Sequence, residues 1–377
     1  MANYDIAIIG GGIMGAAAAC EMARGGARVA LIDQARLPNP RGASVDHSKV
    51  FRYAYPDPFY AALAADALKL WREAERDTET EMITQTGLLM IGSRNNQTGY
   101  QETLDSYNAL RSVGLEAEMM TGDEAARLFP QFNAGAIEYG VLDPSGALLH
   151  AERAVAALID LARRRGASVI EDMRVAEINN RDGVTRLLSE TGEVIDCGRA
   201  MVASGPWTRN LLPEINSLLR TTRQEVFYFE PVAAQGFRVG EFPIFFVTDT
   251  GFYGFPIHHA GAMKIANHDK GVPINPYEVP QSVSPEAVSE CRAFFSQFIP
   301  ALADARIKET RVCIYNNTPD DDFIIDWHPE LEGVLIVTGF SGHGFKFGPL
   351  IGRIAAELLL SGSTSYNTER FRLSRFV

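Results

Sequence analysis

Apolar and polar residues follow one another in a regular order near the N-terminus. A short apolar run at residues 6–9 is long enough for a buried parallel strand, and a row of glycines ends it. Small and apolar residues at helical spacing follow over residues 13–24, and a second apolar run over residues 28–32 leads into Asp33. This pattern predicts a strand, a glycine turn, a helix and a second strand.

The same two periodicities predict the elements of the remaining chain. Apolar residues at helical spacing predict helices at residues 59–76, 101–112, 123–129, 151–165, 285–298 and 349–360. Runs of β-branched and aromatic residues predict strands at 86–91, 168–170, 175–178, 200–203, 310–315, 323–327 and 334–337, and a hairpin from 184–188 and 194–197. Aromatic segments at 224–229, 244–248, 252–255 and 263–267 predict a largely antiparallel sheet.

The order of these elements predicts an α/β protein with two domains, which the length of 377 residues also favours. One is a Rossmann-like nucleotide-binding domain, and the other is an α+β substrate domain with the antiparallel sheet. The C-terminal segment returns to the order strand, glycine loop and helix, so we expect it to rejoin the nucleotide-binding domain. The predicted boundaries are 1–80, 147–215 and 325–377 for the nucleotide-binding domain, and 81–146 and 216–324 for the substrate and catalytic domain.

The glycine turn carries the spacing G-x-G-x-x-G at Gly10, Gly12 and Gly15. In dinucleotide-binding units the first glycine permits the tight turn, the second lets a pyrophosphate approach the backbone, and the third lets the helix pack close to the strands. The helix N-terminus offers free N–H groups to the phosphate. Asp33 follows Gly15 by 18 residues, where a carboxylate can bind ribose hydroxyl groups. The unit predicts a dinucleotide site and leaves NAD and FAD both open.

Charge and composition exclude several classes of partner. The formal net charge of −12 disfavours nucleic acid and anionic membranes. No stretch approaches the ~18 consecutive apolar residues of a membrane helix, and no secretory signal is visible. The four cysteines have no paired spacing, which predicts free thiols in a reducing cytoplasm and no metal cluster. His258, His259 and His268 are predicted to be ordinary sheet or surface histidines without metal-ligand spacing.

Two cations, Lys49 and Arg52, stand three residues apart among aromatic residues. On a helical turn they would share a face. They could then form a pocket wall that holds an anionic ligand group. The alternative is a solvated basic pair, and the spacing alone favours that alternative.

Three segments in the C-terminal part of the chain carry a family resemblance. Residues 311–320 read RVCIYNNTPD, residues 323–326 read FIID, and residues 339–347 read GFSGHGFKF. With these segments, the chain resembles the monomeric sarcosine oxidase and N-methyltryptophan oxidase family of FAD-dependent amine oxidases from Tyr4 to about Gly362. Fructosyl amino acid oxidases (amadoriases) and pipecolate oxidases are relatives of that family. The resemblance implies FAD instead of NAD as the cofactor.

The resemblance also implies covalent attachment of FAD. Cys313 matches the family cysteine that carries the flavin through an 8α-S-cysteinyl thioether, and a thiolate is a suitable nucleophile. Without the resemblance, a buried inert cysteine would be the expected role. Arg311, Cys313 and Tyr315 alternate on one predicted strand and can face the same side. The further cofactor contacts that the resemblance implies are Gly10, Gly12, Ile13, Gly15, Asp33, Ser44, Val175, Gly205, Gly342 and Gly344.

The catalytic residues follow from the same resemblance. Lys264 matches the lysine that activates oxygen beside the flavin, where a fixed cation stabilises superoxide as it forms, and Lys49 is expected to assist. Arg52 and Lys346 match the pair that holds the substrate carboxylate, to which the planar fork of arginine is well suited. The substrate pocket is also expected to include Tyr253 and Tyr315.

The resemblance therefore implies an FAD-dependent oxidase of an N-substituted amino acid. Hydride transfer from the secondary amine to flavin N5 would give an imine, and oxygen would then reoxidise the flavin with formation of H2O2. The expected partners are a small-molecule N-substituted amino acid and molecular oxygen. The expected oligomeric state is a monomer, with neither metal, nucleic acid nor membrane as a partner.

Two departures from the family leave the substrate open. The sarcosine oxidases have a histidine where this chain has Val45 and an arginine where it has Lys49, and a lysine there is seen in fructosyl amino acid oxidases. A bulkier substrate, sugar-derived or aromatic, is therefore an alternative within the same chemistry. A dehydrogenase that passes electrons to a partner or quinone is another alternative, against which Lys264 argues. A flavin-binding subunit of a larger complex is a third, against which Arg52, Lys346 and Lys264 argue together.

Overall fold

The computed structural model describes residues 3–94, 96–269 and 271–376. Its helices are α1 (Ile13–Arg24), α2 (Pro58–Thr78), α3 (Gln97–Ser112), α4 (Gly122–Leu128), α5 (Ala151–Arg164), α6 (Thr208–Leu211), α7 (Pro285–Phe298) and α8 (Gly348–Ser361). Its strands are β1 (Tyr4–Ile9), β2 (Val29–Ile32), β3 (Lys49–Phe51), β4 (Ile83–Gln85), β5 (Leu88–Ser93), β6 (Glu118–Thr121), β7 (Ile137–Asp143), β8 (Ala147–Leu149), β9 (Ser168–Ile170), β10 (Val175–Arg181), β11 (Val184–Ser189), β12 (Val194–Val202), β13 (Arg220–Glu230), β14 (Ile244–Val247), β15 (Phe252–His259), β16 (Ala262–Asn267), β17 (Arg306–Asn317), β18 (Ile324–Trp327) and β19 (Val334–Thr338).

The first strand lies in the middle of a mainly parallel sheet. Strands β9, β2, β1, β12 and β19 run side by side in parallel, and β18 closes one edge in the antiparallel direction. The predicted hairpin is present as β11 and the first part of β12, and β10 pairs with β11 in the antiparallel direction. The buried strands β1 and β2 are apolar on both faces because helices and loops cover both sides of a parallel sheet. The predicted Rossmann-like α/β fold is confirmed.

A second, eight-stranded sheet forms the other half of the molecule. Its order is β17-β13-β16-β15-β14-β5-β7-β6, and its pairs are antiparallel except for β14 and β5. The phenylalanines of helix α7 pack with those of β13 and β14 in one apolar cluster. The predicted antiparallel sheet is therefore also confirmed. A small third sheet joins β3, β8 and β4.

Helix α1 is held by close contact with helix α8. A Cβ atom at Gly352 would lie 2.6 Å from the Cβ atom of Ala17, and one at Gly348 would lie 2.3 Å from Cγ1 of Ile13. Both glycines are therefore needed for the helices to approach this closely. The packing fixes the start of α1, and with it the glycine turn, against the C-terminal segment of the chain.

The main error of the sequence analysis concerns Lys49 and Arg52. The segment is not a helical turn: Lys49 begins the short strand β3, whose partner is β8, and Arg52 follows the strand. Strands β4, β6, β7 and β8 were not predicted either. β3, β4 and β8 have only three residues each, and pairing between distant segments determines them more than local propensity does.

The two large sheets draw on different parts of the chain. The parallel sheet uses segments predicted for the nucleotide-binding domain, with β18 at the predicted boundary, whereas β5 to β7 and β13 to β17 come from segments predicted for the substrate domain. This division supports the predicted domain boundaries, which we keep as a proposal. Within the described residues, no helix combines the length and the apolar character that crossing a membrane requires.

Candidate active site

A cavity of about 400 Å³ begins at the glycine turn and extends to strand β17. Its walls come from the C-terminal ends of β1 and β2, from the loop after β2 and from the glycine loop after β19. Ligands of open parallel sheets bind at this end of the strands. Gly15 and Cys313 do not line the cavity, whereas the other predicted cofactor residues do: Gly10, Gly12, Ile13, Asp33, Ser44, Val175, Gly205, Gly342 and Gly344.

The glycines of the turn leave no space for side chains. At Gly10, where φ is +111°, a Cβ atom would lie 2.3 Å from the carbonyl oxygen of Ala203 on the neighbouring strand. At Gly15 it would lie 1.9 Å from the carbonyl oxygen of Gly10, and at Gly12 it would lie 2.9 Å from Oγ of Ser44. Gly15 thus acts by packing α1 against the turn, which explains why it does not line the cavity.

Asp33 and Ser44 hold the backbone of the turn. The buried carboxylate of Asp33 accepts hydrogen bonds from the N–H groups of Gly11 at 2.8 Å and Ala35 at 3.0 Å, and from Nδ2 of Asn39 at 2.9 Å. Burial raises the pKa of Asp33 despite these bonds. Two carboxylate oxygens offer about four acceptor sites, so Asp33 can still accept a hydroxyl group. Ser44 Oγ accepts the N–H of Ile13 at 3.0 Å and so caps helix α1 from a distant loop.

Two buried polar atoms beside this cavity are unsatisfied. Nε1 of Trp207 and Oδ1 of Asn316 have no hydrogen-bond partner among the described residues, and both residues line the cavity. A buried donor and a buried acceptor without partners are costly unless a ligand satisfies them. Together with the glycine turn and Asp33, they fit a bound dinucleotide such as FAD.

The role of Gly15 gives a direct test of this cofactor site. We expect Gly15→Ala to lower the amount of FAD that the protein incorporates, because overpacking costs about 1–3 kcal/mol and would push α1 off the turn. The measurement is the ratio of flavin to protein absorbance in the purified protein. Gly135→Ala is the control, since its Cβ atom would contact only Oδ1 of Asn133, at 3.3 Å, and its flavin ratio should not change. Full flavin content in Gly15→Ala would contradict this role.

A smaller cavity of about 70 Å³ adjoins the first one at Lys49, Tyr315, Gly342 and Phe345. Its walls come from β3, from strands of the antiparallel sheet and from the C-terminal glycine loop, and five of its fourteen lining residues are phenylalanine or tyrosine. The structure brings all six residues of the predicted catalytic and substrate set together here: Lys49, Arg52, Tyr253, Lys264, Tyr315 and Lys346.

Arg52 and Lys346 are two cations in this cavity without a carboxylate partner. The guanidinium group of Arg52 lies between two rings, 4.5 Å from the centre of Tyr55 and 4.8 Å from that of Phe246. The buried Nζ of Lys346 donates to the hydroxyl of Tyr55 and to the carbonyl of His343, each at 2.7 Å. Among the described residues, no acidic side chain lies within 4.0 Å of either cation. Burial and the charge of Arg52 lower the pKa of Lys346 well below its ordinary value.

Tyr55 and His343 support this pair of cations. The Tyr55 hydroxyl accepts from Lys346 and lies 3.1 Å from Nδ1 of His343, whose Nε2 lies 3.0 Å from the carbonyl oxygen of Asp321. Because Nε2 faces an acceptor, it carries the proton, and Nδ1 accepts from Tyr55. Burial and the charge of Lys346 keep the pKa of His343 well below its ordinary value, in agreement with a neutral ring.

Lys264 is buried behind the aromatic wall and pairs with Asp46. Its Nζ donates to Oδ2 of Asp46 at 2.5 Å and to the carbonyl of Ser48 at 2.7 Å. Tyr228 donates its hydroxyl to the other carboxylate oxygen at 2.6 Å. Lys49 lies farther away, with its Nζ 4.0 Å from Oδ2 of Asp46. The pair is therefore an ammonium and a carboxylate that share several hydrogen bonds.

Cys313 lies on β17, partly buried against the small apolar cluster that includes Val226 and Tyr228. Burial raises the pKa of its thiol, while the positive charges of Lys49 and Lys264 favour the thiolate. Cys313 stands two residues before Tyr315 on the same strand, so both side chains point to the same side of the sheet. The predicted alternation of Arg311, Cys313 and Tyr315 is therefore present, although only Tyr315 of the three lines the cavities.

His47, His259 and Glu309 come together beside the same strand. The two histidine rings stack at 3.4 Å, and Nε2 of His47 lies 3.2 Å from Oε1 of Glu309. Their ligand atoms are close enough to hold a metal ion. However, Nη2 of Arg311 already lies 2.7 Å from Nε2 of His47, and the guanidinium charge opposes a divalent cation at that nitrogen.

Sequence reasoning missed several residues of the site. Asp46 and Tyr55 received no role, although Asp46 precedes Lys49 by three residues and Tyr55 follows Arg52 by three. Sequence reasoning assigned His268 no role beyond that of an ordinary sheet or surface histidine; in the structure it lines the small cavity, and its Nδ1 lies 3.3 Å from the Tyr315 hydroxyl. The sequence did contain two signals: Asp46 lies close to Lys49 and Arg52, and Tyr55 is an aromatic residue close to Arg52.

A parallel sheet with a glycine turn, and a cavity that leads from it to Lys264 and Lys346, have the architecture of a dinucleotide-binding oxidoreductase. Residues 5–358 match the family model described as FAD dependent oxidoreductase (DAO), and the chain belongs to this family. It is 30% identical to monomeric sarcosine oxidase from Bacillus sp. (strain B-0618) and 31% identical to peroxisomal sarcosine oxidase from Homo sapiens, in each case over 99% of this chain and 96% of the relative. The solved deglycating fructosamine oxidase from Aspergillus fumigatus has the same fold, with a TM-score of 0.83 and 21% identity over 98% of this chain and 89% of that one.

Proposed function

We propose that this protein oxidises the secondary amine of a small N-substituted amino acid and uses molecular oxygen as electron acceptor. One observation carries the proposal: Arg52 and Lys346 converge on the small cavity, and among the described residues neither has a carboxylate partner of its own. Lys346 is buried and Arg52 is partly buried, and cations removed from water normally have an anionic partner. The carboxylate of the substrate would supply it, and the amine would then lie towards the large cavity.

The chain's own residues orient the substrate and exclude water. Arg52 can form a fork-shaped pair of hydrogen bonds to the carboxylate, and Lys346 adds a point charge that Tyr55 and His343 hold in place. Tyr253 and Tyr315 form the aromatic wall. When bound, FAD supplies a hydride acceptor at flavin N5 and two electrons for oxygen, with H2O2 as product. The residues that would hold it are Gly10, Gly12, Ile13, Asp33, Ser44, Val175, Trp207, Gly342 and Gly344.

The volume of the small cavity favours a small substituent on the nitrogen. Since one water molecule needs about 10–15 Å³ by this measure, 70 Å³ corresponds to about five water molecules. A sugar-derived substituent, as in a fructosyl amino acid, would have to displace ring side chains such as Phe246 or extend out of the cavity. The shared fold with fructosamine oxidase and Lys49 support that alternative. Comparing an N-methyl with an N-fructosyl amino acid separates the two.

Anaerobic reduction tests the proposal. We expect sarcosine or another N-methyl amino acid to bleach the flavin absorbance of the purified protein, and dimethylamine, which lacks the carboxylate, to bleach it far more slowly. On admission of oxygen, the colour should return with one H2O2 for each imine. No bleaching by any N-alkyl amino acid, or equal bleaching by both amines, would contradict the proposal. Slow return of the colour in air, with fast return on a quinone, would indicate a dehydrogenase.

We further propose that FAD is covalently attached at Cys313, as the family resemblance implies. The neighbouring Lys49 and Lys264 and the position of Cys313 on β17 support this. After acid precipitation, we expect the yellow colour in the pellet and an intact mass that exceeds the chain mass by one FAD. Cys313→Ala should release all its flavin into the supernatant, whereas Cys291→Ala, at a buried cysteine in α7, should not. Yellow supernatant from the unaltered protein would overturn the attachment.

A monomer in the cytoplasm completes the proposal. The four cysteines, all of them among the described residues, form no disulfide with one another, in agreement with a reducing compartment. Light scattering of the purified holoprotein measures the oligomeric state.

A further inference from the structure

We propose that Asp46 is the positioning residue that keeps Lys264 as a fixed cation, so that the reaction with oxygen does not depend on pH across the neutral range. This inference rests on the proposed oxidase function and assigns a residue that the sequence analysis left without a role. Asp46 would act through Lys264 and would touch neither substrate nor oxygen.

The sheet register brings three residues together at this point. Tyr228 on β13 and Lys264 on β16 are direct cross-strand partners, so their side chains leave the same face of the sheet side by side. Asp46, in the loop before β3, lies across both of them. Each of its carboxylate oxygens accepts one of their hydrogen bonds, Oδ1 from the Tyr228 hydroxyl and Oδ2 from Lys264 Nζ. The N–H of His47 adds a third hydrogen bond, to Oδ1 at 2.8 Å.

Burial makes this arrangement decisive for the charge of Lys264. The side chains of Asp46 and Lys264 are 0% and 1% exposed, so water does not stabilise the ammonium group. Its only other acceptor among the described residues is the carbonyl of Ser48. The face of the Phe255 ring lies 4.9 Å from Nζ and contributes a weaker attraction.

Lys49 opposes the charge of Lys264, whereas Asp46 and, to a smaller extent, Cys313 favour it. The titratable and charged groups around the pair are Asp46 and Lys49 near β3, Tyr228 on β13, Tyr253 and His258 on β15, and Arg311, Cys313 and Tyr315 on β17. Burial lowers the pKa of Lys264, and Asp46 opposes that effect. Burial would by itself raise the pKa of Asp46, but the charges of Lys264 and Lys49 outweigh it and hold it below its ordinary value. The neighbourhood thus contains one buried anion, and that anion is Asp46.

The variant Asp46→Asn removes the charge and keeps the shape. The amide oxygen can still accept from Tyr228, but its NH2 group then faces Lys264 Nζ, donor against donor. Lys264 would lose its proton in the neutral range, since a buried lysine beside Lys49 without an anion favours the neutral form. Lys264 carries its positive charge only when the pH is below its pKa. The reaction of the Asp46→Asn variant with oxygen should therefore become faster as the pH falls.

The experiment uses purified holoprotein reduced with dithionite, so that it does not depend on substrate. Stopped-flow mixing with oxygen at a series of pH values should give a constant rate for the unaltered protein. Asp46→Asn should lose rate by about tenfold for each pH unit above the lowered pKa of Lys264. Asp46→Glu, which retains the carboxylate, should restore the flat profile. In Lys264→Met/Asp46→Asn the rate should be slow and independent of pH.

The outcomes separate this inference from the proposed function. A fast and pH-independent reaction in Asp46→Asn would overturn the role of Asp46 while leaving the oxidase function intact. A pH dependence that persists in the double variant would also overturn it, because the titrating group would not be Lys264. If the reduced unaltered protein reacted with oxygen only slowly, the oxidase function itself would fall. Should Asp46→Asn fail to fold, a pH-dependent rate in Asp46→Glu would still count against the inference.

Discussion

Replacing Lys264 with methionine is expected to slow the reaction of the reduced flavin with oxygen by about 10²-fold to 10³-fold, the usual effect of removing one preorganised stabilising group. Reduction of the flavin by the amine should change little. The reason is geometric: Nζ of Lys264 is held by Asp46 and Ser48 in the wall of the small cavity, so its charge needs no rearrangement when superoxide forms. The carboxylate of the substrate, in contrast, is assigned to Arg52 and Lys346.

The two half-reactions have to be measured separately to test this expectation. Anaerobic stopped-flow gives the rate of flavin reduction, and mixing the reduced protein with oxygen gives the rate of reoxidation. Lys264→Met leaves the buried Asp46 without its main partner, which threatens the fold. Lys264→Met/Asp46→Asn therefore accompanies it, and Lys69→Met, at an exposed lysine on α2, is the control. Unchanged reoxidation in both Lys264 variants would disprove the role of this lysine.

The local elements of the fold could be predicted from the sequence because their signals lie within them. Helix α7 has the predicted bounds, since Ser284 caps it by accepting the N–H of Ala287 and Pro285 occupies its first turn. The glycine turn was likewise recognised from its own residues. Strand β3 was not, because its extended form depends on pairing with β8, about a hundred residues away in the sequence.

The residues of the site likewise fall into a group that the sequence could predict and a group that it could not. Cys313 and Lys346 lie in segments that carry the family resemblance, and spacing alone gave them no role. Asp46 could not be predicted, because its function comes from contact with Lys264, 218 residues later, across a register that only the folded sheets define. The hydrogen bonds of Tyr55 with His343 and Lys346 could not be predicted for the same reason. They form only where the loop before α2 contacts the C-terminal glycine loop in the folded protein.

Replacing Arg52 with methionine is the second change with a large expected effect. Truncating one partner of a hydrogen-bonded charge pair that the bound substrate shields from water costs about 2–5 kcal/mol, so kcat/KM for an N-methyl amino acid should fall by about 30-fold to 5000-fold. Methionine keeps an unbranched side chain between the rings of Tyr55 and Phe246, so the loss reports the guanidinium charge and its hydrogen bonds more than the packing. Arg52→Lys should retain part of the activity, since it keeps the charge and loses the fork.

A comparison of an N-methyl amino acid with dimethylamine shows whether Arg52→Met loses activity because the substrate carboxylate is no longer bound. For dimethylamine, which has no carboxylate, the unaltered protein and Arg52→Met should react equally slowly, so the preference for the amino acid should fall by the same factor as kcat/KM. Lys346→Met should reduce the preference as well, because its Nζ and Arg52 line the same cavity. If Arg52→Met lowered the rate with both amines by the same factor, Arg52 would shape the site without binding the carboxylate. The proposed function would then lose its main support, because the two basic residues Arg52 and Lys346 in one cavity would no longer identify an anionic substrate.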